Sequence, residues 1–157
     1  MRVAKNNDNQ VHVSRSRNNR KFFYPHTPAD TTETQKRGRP KTYGDVHALN
    51  NSVTWREPDE AIELSQVSAQ GKIQIIKIDC WSEMIMRGKK GCKLSDYPLR
   101  LLRVRVYKES GEPLFKRPLW LTAAGKRRKE LSLHDIFSSY RQRFDIEHFL
   151  TNTLSNR

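Results

Sequence analysis

The chain has 157 residues, enough for one domain with a modest core. Hydrophobic residues make up 35% of it and charged residues 30%, and 30 Lys and Arg against 17 Asp and Glu leave a net charge of +13. An excess of that size argues against a basic partner and points to a polyanion. Nucleic acid is the first candidate, and a ribosomal-type or merely soluble basic protein is the alternative.

Cys80 and Cys92 have no Cys-x-x-Cys partner and no histidine pair at zinc spacing, so the ordinary buried thiols of a cytosolic protein are expected. Residues 1–13 are polar and lack the apolar stretch of a signal peptide, and the longest apolar runs fall far short of a membrane span. The expected location is therefore cytoplasmic, and nucleoid-associated if DNA is the partner.

Val11 and Val13 alternate with polar residues, which predicts a short strand. Lys21-Phe22-Phe23-Tyr24 predicts a second, stopped by Pro25. Residues 25–54 read as one long loop, punctuated by Pro25, Pro28, Gly38, Pro40 and Gly44. Residues 72–81 are rich in β-branched side chains and predict a strand, with a loop at Gly88-Lys89-Lys90-Gly91 beyond it.

Leu99 to Tyr107 predicts another strand. It puts Leu102, Val104 and Val106 on one face and Arg103 and Arg105 on the other. Those arginines either track phosphates or form the solvated face of a half-buried sheet, with the second preferred. Glu109 to Glu112 is a turn, and Leu119 to Thr122 is a short apolar strand. Ile73, Ile75, Ile78, Trp81 and Trp120 are expected in the core. Ser132 and Asp135 form a capping box for a helix reaching about Thr153. Its spacing groups Leu133, Ile136, Phe137, Tyr140 and Phe144.

On that helix Tyr140, Arg143 and Glu147 fall at i, i+3 and i+7 and share a face. A carboxylate offers a hard oxygen to a metal, an arginine grips phosphate, and a tyrosine stacks or donates a hydrogen bond. Each also has a plainer reading: Glu147 as a solvated residue, Tyr140 as core packing, Arg143 as a surface partner of Glu147.

The Tyr-x-x-Arg-x-x-x-Glu spacing resembles the motif of bacterial insertion-sequence transposases of the DDE type. The family places Lys or Arg at the position held here by Leu154. Other segments are similar to the family in the same order: 19–24, the basic 36–44, 55–60 and the strand 117–121. The resemblance implies an α+β chain. It would be a partial ribonuclease-H-like fold with a β-rich insertion and one long C-terminal helix. Residues 1–35 would be N-terminal strands and loop, 36–118 the insertion region, and 119–157 the last strand and the glutamate helix.

The implied chemistry is two-metal phosphoryl transfer in DNA transposition, with Mg²⁺ held by Glu147 and two aspartates. In the family those aspartates precede the segment where this chain starts. Asp145 lies about 200° round the helix from Glu147, Asp135 serves the cap, and Asp79 falls in the insertion. The expectation is a truncated transposase, inactive alone but DNA-binding. Its implied partners are transposon ends and, by self-association or pairing, a second copy or an upstream transposase fragment.

Two further basic segments are DNA-contact candidates. Arg37-Gly38-Arg39-Pro40 matches the core of an AT-hook, which lays an extended strand in the minor groove. It opens an alternative function, a non-catalytic basic DNA-binding protein. Lys126, Arg127 and Arg128 precede the glutamate helix and are placed to meet phosphates. Either segment could equally be a solvated loop.

Overall fold

A computed structural model describes residues 9–27, 38–39 and 41–143. Among the described residues there are seven strands: β1 (His12–Ser16), β2 (Lys21–Pro25), β3 (Tyr43–Ala48), β4 (Glu60–Val67), β5 (Ile73–Met84), β6 (Leu99–Lys108) and β7 (Leu119–Ala124). One helix, α1, covers described residues 133–143. The architecture is α+β.

Five strands make one antiparallel sheet in the order β1-β7-β6-β5-β4, and β2 and β3 make a separate hairpin. The sheet draws β1 from residues 1–35, β4 to β6 from 36–118, and β7 from 119–157, so these segments share one core. No helix among the described residues is long and apolar enough to cross a membrane.

The period of two in β5 and β6 decides which side chains go where. Ile78 faces Val104 and Cys80 faces Leu102 across the ladder. These residues, with Leu121 and Ala123 of β7, bury against Leu133, Ile136 and Phe137 of α1. The capping box fixes where that helix starts. Ser132 Oγ accepts the Asp135 N–H at 3.1 Å, and Asp135 Oδ2 accepts the Ser132 N–H at 3.3 Å.

The register one residue on, Asp79 opposite Arg103 and Trp81 opposite Leu101, belongs to the other face. There the β2–β3 hairpin lies on Trp81, Leu101 and Trp120, burying Phe22 and Tyr24. The Phe23–Ile85 bridge pins it to the end of β5.

The expected loop over residues 25–54 therefore contains a strand, β3. Its sequence hid it, because Gly44 and Asp45 interrupt any alternation. The glycine has a reason, since a Cβ there would lie 2.7 Å from the Pro25 carbonyl oxygen. That pinch accompanies the register shift between Phe23 and Pro25. β4 also escaped the sequence reading, though Ile62 and Leu64 pack on the helix-side core. Of the expected core residues, Ile78, Trp81 and Trp120 are buried, whereas Ile73 is exposed at the end of β5.

At the centre of the hairpin side sits His47, fully buried. Its ring stacks on Trp55 and meets Trp81 and Trp120 edge-on. Tyr24 Oη accepts the Arg56 N–H at 2.8 Å and shares a hydrogen bond of 2.7 Å with His47 Nδ1. Burial, helped by the charge of Arg103, lowers the His47 pKa to about 4.

An unfolded chain, titrating near pH 6.5, takes up that proton first. Stability is thus complete above about pH 6.5 and falls as pH drops towards 4, by about 3 kcal/mol. Urea unfolding across that window should show the loss in the natural chain and a much smaller one in His47→Gln. Equal losses in both proteins would remove His47 as the cause.

Candidate nucleic-acid interface

A basic chain can bind a polyanion only with cations that its own carboxylates do not already hold. The two sheet faces divide the arginines on this basis. Arg100, on the helix side of β6, is buried and donates to the carbonyls of Leu131 at 2.7 Å and Arg128 at 3.2 Å. Its other Nη meets both carboxylate oxygens of Glu60 at 3.1 Å. This arginine ties β4 and β6 to the segment that leads into α1.

On the hairpin side, Arg103 gives Nε and Nη2 to Asp79 Oδ2 at 2.9 and 2.7 Å, and Arg105 Nη2 reaches the same oxygen at 3.0 Å. The Arg103 guanidinium also lies over the Trp55 and Trp81 rings, 4.8 and 5.8 Å from their centroids. The expectation of a solvated arginine face is corrected: the hairpin covers this end of the face, and Arg103 is one of the groups it packs against.

The loop before α1 is similarly committed. Arg127 pairs with Glu130 at 2.6 Å, and Arg128 and Lys129 both pair with Glu83. Arg127 and Arg128, expected to meet phosphate, spend their charge on these carboxylates, while Lys126 is exposed.

The Tyr-Arg-Glu stripe divides. Tyr140 packs against the helix-side core, its plainer reading, and Arg143 is exposed. Glu147 and Arg37 lie outside the described residues, as does Asp145. Arg39 is described and exposed.

The described carboxylates do not fit a Mg²⁺ site. Among the described residues no group of three or more His, Cys, Asp or Glu is placed to share a metal. Asp79 is held by two arginines, and Asp135 is held by the helix cap, where hydrogen bonds from Ser132 lower its pKa.

What remains for a polyanion is a set of exposed cations that form no ion pair among the described residues. Arg15, Arg17, Arg20 and Lys21 surround the turn from β1 to β2, and Arg39 and Lys41 lie on the approach to β3. Lys89, Lys90 and Lys93 occupy the loop after β5. Sequence reading missed the β1–β2 group and treated the β5 loop as a mere turn. The available signal was the absence of any Asp or Glu between Arg15 and Lys21 and between Arg87 and Lys93.

No protein-family model matches the chain, and neither does any curated protein or solved structure.

Asp79→Asn should destabilise the protein by about 3 kcal/mol in urea unfolding, because it strands two arginines beside the aromatic cluster. Arg127→Ala, which removes only an exposed pair, should leave the unfolding midpoint unchanged. Equal effects would mean that Asp79 carries no special burden.

Proposed function

We propose that this chain derives from an insertion-sequence DDE transposase, is catalytically inactive alone, and binds DNA through its exposed cations. The observation that carries the binding half is the partition of charge. Buried Arg100 and the largely covered Arg103 and Arg128 hold Glu60, Asp79 and Glu83. The exposed cations around the β1–β2 turn and before β3 are left with no carboxylate partner among the described residues. Placed beside phosphates, such cations release condensed counterions and give salt-sensitive binding with no need for base contacts.

The transposase half is supported by the order of the matching segments and by a capped helix carrying Tyr140 and Arg143, with Glu147 four residues beyond Arg143 in the sequence. In this reading the antiparallel sheet belongs largely to the β-rich insertion, and a ribonuclease-H-like core needs further strands from elsewhere. Mg²⁺ would be held by Glu147 together with two aspartates that are not among these 157 residues.

The exposure of Arg39 beside Gly38 supports the alternative, a non-catalytic basic DNA-binding protein that uses the Arg-Gly-Arg-Pro segment. The two readings differ in what Glu147 once did.

The purified chain should shift duplex DNA in low salt, with and without Mg²⁺, and should not nick it. Glu147→Ala should bind equally well. Mg²⁺-dependent nicking that disappears in Glu147→Ala would contradict catalytic inactivity and reveal carboxylate partners in this chain.

A further inference from the structure

The loop that follows β5 has features a solvated connection does not need. Its backbone is tightly determined. The Cys92 N–H donates to the Lys89 carbonyl at 2.9 Å, closing a turn, and Gly91 takes a φ of 85° that favours glycine. A Cβ on Gly88 would lie 2.2 Å from the Cys92 carbonyl oxygen, so only glycine lets the two ends of the turn meet.

The turn is also docked. The Gly88 N–H donates to Tyr43 Oη at 3.2 Å, and the Arg87 guanidinium sits over the Phe23 and Tyr43 rings at 5.2 and 6.0 Å. A fixed turn thus presents Lys89, Lys90 and Lys93 to solvent, and none of them forms an ion pair among the described residues. The next carboxylate along the chain, Asp96, forms none with them either.

The docking partner matters. Tyr43 opens β3, and Lys41 is two residues before it, at most about 7 Å of chain away. Arg39 is four residues before it, within about 14 Å. The hydrogen bond from Gly88 to Tyr43 therefore brings the lysine turn to the exit of the basic Arg-Gly-Arg-Pro-Lys segment. Cations gathered on one fixed surface repel one another, and a polyanion lying across them relieves that repulsion. Duplex DNA, with one charge per about 1.7 Å of axis, supplies closely spaced negative charge.

We propose that the turn 88–93, with Lys41 and Arg39, is a clamp for the phosphate backbone of duplex DNA. The proposal rests on the DNA-binding reading above and names the surface that does the binding. No base recognition is assigned to the clamp. It contacts phosphates alone.

Cys92 reports on this directly, because it is exposed between Lys90 and Lys93. Cys80 is buried, and burial pushes its thiol pKa up to about 11, so it stays unreactive in the folded protein.

The natural chain would be treated with a maleimide, free and saturated with a short duplex, and modification of each cysteine followed by peptide mass spectrometry. Duplex should slow Cys92 modification about tenfold, and high salt should restore it. The variant carrying Lys89→Ala, Lys90→Ala and Lys93→Ala should bind duplex about tenfold or more weakly, with an unchanged circular dichroism spectrum.

Full Cys92 reactivity in a saturated complex would overturn the clamp and leave DNA binding standing. Protection by single-stranded RNA but not by duplex would overturn the choice of partner. No binding to duplex at low salt would overturn both this inference and the reading beneath it.

Discussion

Arg103 lies against two tryptophan rings on the covered face of a sheet, and a charge in that position must have a carboxylate. Asp79, directly opposite on β5, supplies it, and one oxygen accepts from both Arg103 and Arg105. The same demand recurs on the helix side, where Arg100 takes Glu60, and at the base of α1, where Arg128 takes Glu83. The chain has few acids to give. Once these structural arginines are paired, the surface cations around β1, β2 and the loop after β5 form no ion pair among the described residues.

This division also shapes the two layers. α1 closes one face with Leu133, Ile136 and Phe137, and the β2–β3 hairpin closes part of the other with Phe22 and Tyr24 around a neutral His47. Tyr140 follows the apolar stripe inward, while Arg143 remains outside. The proposed clamp lies elsewhere, where the hairpin meets the end of β5.

Local pattern revealed much of this fold. β5, β6 and β7 have strong alternation or β-branched runs, and Ser132 with Asp135 marks the helix start unambiguously because capping chemistry is local. β3 was hidden because its strand character comes from pairing with β2 around a pinched glycine. The role of Arg103 and Arg105 was hidden because a period of two says which residues share a face and says nothing about what covers it. The basic run at 126–129 misled for a similar reason: the carboxylate that holds Arg128, Glu83, is 45 residues away in sequence. The lysine turn after β5 reads only as a loop because Gly-Lys-Lys-Gly is also how an idle loop is written. Only its hydrogen bond to Tyr43 makes it part of a surface.

If unpaired surface cations bind DNA phosphates, affinity must fall steeply with salt. The most direct measurement is therefore the dissociation constant for a short duplex across a salt series. With at least four phosphates engaged, the slope of log affinity against log salt should be about −3.6 or steeper, at about 0.9 per contact. A slope shallower than about −1, or no binding at the lowest salt, would contradict the assignment of these cations to DNA.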